Sequence, residues 1–152
     1  MEELQRKMEK LMRFMIRRLA GAAALGGETR RGLPLLAVVA GGPYFFLQVL
    51  AEKGRASVSE MAAELGVTLA AITALAGKLG RAGWVRRTRS GPDRRVVWLE
   101  LTPAGQEVLA RARAIRREVW RSYFGVLSTE EMDLFNRLIT KVLQAAEQGG
   151  ER

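Results

Sequence analysis

Between Trp84 and Leu101 the sequence reads WVRRTRSGPDRRVVWLEL, with Arg86, Arg87, Arg89, Arg94 and Arg95 crowded on either side of a Ser-Gly-Pro-Asp turn. Guanidinium groups this close repel one another, and they become favourable together when phosphate oxygens accept their planar, charge-assisted hydrogen bonds. The flanking segments 84–89 and 95–101 are β-branched, aromatic or long, and Val97, Leu99 and Leu101 alternate onto one side, which predicts a two-stranded hairpin with a basic tip. Arginine on so narrow a projection can enter a DNA minor groove only about 6 Å wide, where a flat basic patch cannot go. Asp93 stands where its carboxylate can hold Arg95 and relieve part of the repulsion. Trp84 and Trp98 fit packing at the hairpin base better than stacking on bases. Outside a DNA-binding context the same hairpin would be a solvated loop, so its neighbours decide the reading.

Composition narrows the choice. The chain has 152 residues, 48% of them hydrophobic, enough for one core and one domain rather than two independent ones. Lys and Arg number 25 against 16 Asp and Glu, a formal charge of +9 that suits a polyanionic partner. Cysteine and histidine are both absent, which removes disulfides, thiol and imidazole catalysis and the ordinary zinc sites. Asp93 and Asp133 are the only aspartates, and the glutamates scatter along helical faces. The sequence therefore names no metal, no cofactor and no catalytic residue, and an enzyme is disfavoured. The most apolar stretch, 33–50, is split by Gly41-Gly42-Pro43 into pieces of about 8 residues, too short to cross a bilayer. The N-terminus lacks the ordered blocks of a signal peptide, so no membrane partner and a cytoplasmic location are expected.

Periodicity supplies the elements that would carry the hairpin. Leu4, Met8, Leu11, Met12, Met15 and Leu19 recur at helical spacing and predict an amphipathic helix over 2–19; residues 21–32, rich in Ala and Gly, read as a loop. Pro43 and Gly54 bracket a short helix that buries Phe46, Leu47 and Leu50. Ser57-Val58-Ser59-Glu60 is a capping-box pattern opening a helix with Val58, Met61, Ala62 and Leu65 inward. Thr68 caps the next helix, whose buried stripe is Ile72, Leu75, Ala76 and Leu79, while Ala70, Ala71, Thr73, Ala74 and Lys78 face away. Two short helices joined through Gly66 have the layout of a helix-turn-helix. After the hairpin, Thr102-Pro103 opens a helix reaching about Phe124, and Ser128 to Glu131 caps a last helix carrying Met132, Phe135, Leu138, Ile139, Val142 and Leu143. The apolar stripes at both ends are wide for one compact core, and pairing with a second copy would bury them.

This order of elements is that of a winged helix-turn-helix, and the chain resembles the MarR family of transcription regulators. The resemblance is carried by Asp93-x-Arg95, Leu101-Thr102-x-x-Gly105, Ser57-x-x-Glu60-Met61-Ala62-x-x-Leu65-Gly66 and Leu79-x-x-Ala82-Gly83-x-Val85, over roughly residues 43–109. It implies a mainly α fold with a small antiparallel β-wing (α+β), in one domain spanning 1–152. Residues 1–20 and 102–148 would be dimerisation helices and 43–101 the DNA-binding lobe. It further implies a homodimer on double-stranded DNA, most simply a repressor. The recognition helix, with Thr68, Ala70, Ala71, Thr73, Ala74 and Lys78, would enter the major groove. The wing, with Arg86, Arg87, Arg89, Asp93, Arg94 and Arg95, would reach the minor groove. A small aromatic or anionic effector could occupy a crevice near Tyr44, Phe45 and Phe46, although burial in the core accounts for these aromatics more simply.

One departure stands out. Relatives usually carry more Ser, Thr and Arg on the recognition face, whereas alanine and threonine methyls can contact thymine methyls but make none of the bidentate hydrogen bonds that tell guanine or adenine apart. Weak direct readout is expected, with specificity leaning on the wing and on DNA shape. The competing reading is a winged-helix interaction module that binds protein, or nucleic acid without sequence preference.

Overall fold

The computed structural model describes residues 1–25, 41–89 and 96–149. Among these the order is α1 (Glu2–Leu25), α2 (Gly42–Lys53), β1 (Arg55–Ser57), α3 (Val58–Leu65), α4 (Leu69–Arg81), β2 (Val85–Thr88), β3 (Trp98–Leu101), α5 (Pro103–Phe124) and α6 (Thr129–Gly149). The hairpin turn with Asp93, Arg94 and Arg95 lies outside the described residues, as does the first half of the apolar stretch 33–50. The chain separates into two compact units, Met1–Arg117 and Glu118–Arg152.

The first unit is built around fully buried Phe46, Leu47 and Leu50 from α2, Met61 from α3, Ile72 and Leu79 from α4, Leu99 from β3 and Leu109 from α5. Helices α3 and α4 start where the sequence supplies an acceptor for their free N–H groups. Ser57 Oγ accepts from the Glu60 N–H at 3.2 Å, while the Glu60 carboxylate accepts from the Ser57 N–H at 2.6 Å, closing the expected capping box on α3. Thr68 Oγ1 accepts from the Ala71 N–H at 3.2 Å and caps α4. Between them Gly66 adopts φ 63°, a left-handed conformation that costs glycine no Cβ clash. The two helices bend by 112° across this turn, within the helix-turn-helix range.

Two expectations need correcting. The first helix does not end at Leu19 but continues through Gly21 to Leu25. Ala20, Ala22, Ala23 and Ala24 are the strongest helix formers and offset the roughly 1 kcal/mol that Gly21 costs, and Ala23 extends the buried line begun at Leu19. The sheet, moreover, has a third strand. Arg55 to Ser57 pairs antiparallel with β3, giving the order β1-β3-β2 and the register Arg55↔Glu100, Ala56↔Leu99, Ser57↔Trp98. The wing strands are shorter than expected, Val85 pairing with Leu101 and Thr88 with Trp98.

The Leu-Thr-x-x-Gly motif acts as a clip. Thr102 Oγ1 donates to the Gly83 carbonyl at 2.6 Å and accepts from the Gly105 N–H at 3.1 Å, and the Thr102 N–H donates to the Trp84 carbonyl at 3.0 Å. A Cβ on Gly105 would collide with that Trp84 carbonyl oxygen. Backbone therefore touches backbone where the turn after α4 meets the first turn of α5, and only glycine fits there.

The second unit contains the end of α5, a stop at Gly125, whose N–H bonds to the Arg121 carbonyl, and α6. The Ser128 N–H donates to Glu131 at 2.8 Å and the Glu131 N–H to Ser128 Oγ at 3.3 Å, the second expected capping box. Trp120 stacks on Phe124 at 4.7 Å between centroids, and Phe124 lies 5.2 Å from Phe135. Further along α6, Leu138, Ile139, Val142 and Leu143 are exposed, as are Leu4, Met8 and Met12 on α1.

Candidate nucleic-acid interface

Helix α4 divides by face, with Leu75, expected in the buried stripe, only half-buried. Ile72, Ala76 and Leu79 are buried, and Ala70, Ala71, Thr73, Ala74 and Lys78 are exposed, as the period of 3.6 requires. Thr68 is exposed too, but its hydroxyl oxygen is engaged as the helix cap. The sequence reading passed over one residue on this face. Arg81, exposed at the end of α4, falls one and two turns after Gly77 and Ala74, and its Nη1 lies 3.6 Å from where a Gly77 Cβ would be. Its guanidinium reaches back along the helix over the space that glycine leaves open. Counting by fours from Leu69 through Thr73 and Gly77 would have found it.

The wing strands sort their arginines by face. Arg86 and Arg87 are neighbours on β2 and so point to opposite sides of the sheet. Arg86 stands opposite Glu100 in the ladder, and its Nη2 meets Glu100 Oε2 at 2.5 Å. Arg55, in register with Glu100 from the other edge, lays its guanidinium 4.7 Å from the centre of the Trp98 ring, within cation–π range. Glu100 thus sits between two arginines, a counter-charge the sequence reading did not assign. Arg87, opposite Leu99, and Arg89 are both exposed. Arg94 and Arg95 lie outside the described residues, so the expected Asp93 partnership has no described geometry. Trp84 is buried and Trp98 half-buried, which suits packing at the base of the hairpin.

The aromatics of α2 behave mainly as core. Tyr44 and Phe46 are buried, whereas Phe45 is 49% exposed. The Arg116 guanidinium caps the first pair, 4.2 Å from the Tyr44 ring centre and 5.5 Å from that of Phe45. A groove of about 470 Å³ opens beside Leu50, Gly54, Leu101, Gln106 and Leu109, with Arg113 and Arg117 among its polar lining. Among the described residues no cluster of acidic side chains is placed to hold a metal ion, and no single helix is long and apolar enough to cross a membrane.

Comparison with known proteins meets this geometry at the same residues. A family model described as the MarR family matches residues 43–97, the span from α2 to the wing. The transcriptional repressor MdtR of Bacillus subtilis is 34% identical over 68% of this chain and 66% of its own length. The transcriptional regulator HosA of Escherichia coli is 32% identical over 66% of this chain and 74% of its own length. Among solved structures, Streptococcus pneumoniae FabT in complex with DNA superposes with a TM-score of 0.73, covering 95% of this chain and 98% of that one at 24% identity, a likeness of fold. With the helix-turn-helix and the first wing strand inside the matched span, the chain belongs to the MarR family of winged helix-turn-helix transcriptional regulators.

Proposed function

We propose that this protein is a homodimeric repressor that acts in the cytoplasm on double-stranded DNA, with α4 in the major groove and the wing in the adjacent minor groove. The observation that carries the reading is the exposed row of α4 beside a ladder whose edge strand bears Arg87, with Arg89 exposed just past its end. Thr68, Ala70, Ala71, Thr73, Ala74 and Lys78 form the recognition face, and Arg81 extends it. Arg87 and Arg89, with Arg94 and Arg95 after them in sequence, neutralise backbone phosphates, Arg86 stands behind them held by Glu100, and Asp93 orders the tip. Residues 1–20 and 102–148 serve as the dimerisation helices, residues 43–101 as the lobe that binds DNA, and the whole of 1–152 as one functional domain. The exposed apolar positions of α1 and α6 support that pairing.

Effector control is supported by the groove beside α2 and α5, which is not lined by Tyr44, Phe45 and Phe46, where the sequence placed an effector. Its volume, about 470 Å³, suits a small ligand, and Arg113 and Arg117 favour an anionic aromatic one. Such a ligand would alter the spacing of two lobes that must dock about 34 Å apart.

The test is binding of labelled duplexes across a salt series. Specific retention, with log affinity falling against log salt by about 0.9 for each phosphate neutralised, is expected. A chain that retains no duplex at low salt refutes the reading.

A further inference from the structure

The front of the recognition face is unusual in chemistry, not only in being short of hydrogen bonds. From Val67 to Ala76 the side chains are apolar except for Thr68 and Thr73. Val67 is 46% and Leu69 54% exposed, and Ala70, Ala71 and Ala74 are exposed beside them. The Thr68 hydroxyl oxygen already accepts the Ala71 N–H. Water therefore meets a nearly continuous surface of methyl groups at the start of α4. Cationic side chains appear only in the second half, at Lys78 and Arg81.

In a recognition helix the N-terminal residues reach base edges, and the one apolar feature on a major-groove edge is the thymine methyl. Short side chains also let the helix backbone approach closely, so methyl can meet methyl. Charge decides that the occupant is DNA rather than an apolar protein. The patch is followed by Lys78 and Arg81 on its own helix, and Arg87 and Arg89 are exposed on the wing side of a chain of net charge +9. We infer that this face selects its operator by apolar contact with thymine methyl groups, contributed chiefly by Leu69, Ala70, Thr73 and Ala74. Lys78 and Arg81 grip the flanking phosphates. The inference rests on the DNA-binding reading and names what that site recognises.

The experiment uses duplexes selected from a random library by the full-length chain. Each thymine within the protected footprint is then replaced by deoxyuridine, which removes the methyl and leaves every hydrogen-bonding group in place. Affinity is expected to fall about four-fold at each methyl that α4 covers, the factor that corresponds to burying one methyl-sized group. In the Ala70→Ser, Ala74→Ser double variant, whose changes are exposed and small, the thymine-to-uracil ratio should drop toward one while the salt dependence stays as in the wild type. Equal wild-type affinity for thymine and uracil duplexes overturns the methyl reading alone and leaves DNA binding standing. Failure to retain any duplex overturns both together.

Discussion

At the scale of single residues, charge and steric fit give different kinds of evidence. Arg87 and Arg86 look interchangeable in the sequence, yet one is exposed without a cross-strand acid and the other meets Glu100. Replacing Arg87 by Ala should weaken binding to all duplexes alike and reduce the salt slope by about 0.9, the loss of one phosphate contact. An unchanged slope in a salt titration would remove Arg87 from the interface. Gly105 is the steric counterpart. Gly105→Ala drives a methyl into the Trp84 carbonyl and should cost about 1–3 kcal/mol, as overpacking does, lowering Tm by at least several degrees in a thermal melt. The arginines were legible in the sequence because charge is visible there. Glu100 was not assigned because its significance comes from ladder register, and Arg81 was missed because Gly77 interrupts the line of side chains that leads to it.

At the scale of elements, caps and periodicity were enough to place the helix-turn-helix, its buried stripe and both capping boxes. What escaped was structure that depends on distant residues. Arg55-Ala56-Ser57 is too short for its alternation to announce a strand and has little β-propensity, and it is a strand because β3 offers it a ladder. The extension of α1 past Gly21 was hidden for the opposite reason, since four nearby alanines outweigh a breaker that reads as a stop. The cap of α3 makes a pH-dependent prediction. The Ser57 N–H, and then its hydroxyl, hold the Glu60 carboxyl below its ordinary range. A carboxyl lowered in the folded state stabilises it above the ordinary glutamate range, near pH 4.3, and that contribution is lost as pH falls through the lowered value. Wild type should exceed Glu60→Gln by about 0.5 kcal/mol at neutral pH, small because the carboxylate is exposed. Urea melts should show the gap closing toward pH 3; a gap that persists there would show that the ionised carboxylate is not its source.

At the scale of the whole molecule, the exposed apolar rows on α1 and α6 are the part of the sequence pattern that a single chain leaves unsatisfied. Sedimentation should give twice the 16.8 kDa chain mass at micromolar concentration. Leu138→Glu, at an exposed position, should return the protein to the mass of one chain and cost at least ten-fold in affinity for a duplex carrying two half-sites. A variant that stays at the wild-type mass would place the interface elsewhere. Residues that build the interior and residues that face outward from α4 form separate sets, with Ile72, Ala76 and Leu79 in one and Ala70, Ala71, Thr73 and Ala74 in the other. These outward positions carry almost no structural duty, so they can be rewritten without disturbing the scaffold. On the proposed docking of α4 in the major groove, new polar side chains placed there would redirect the protein to other DNA sequences, much as a blank key accepts a fresh cut.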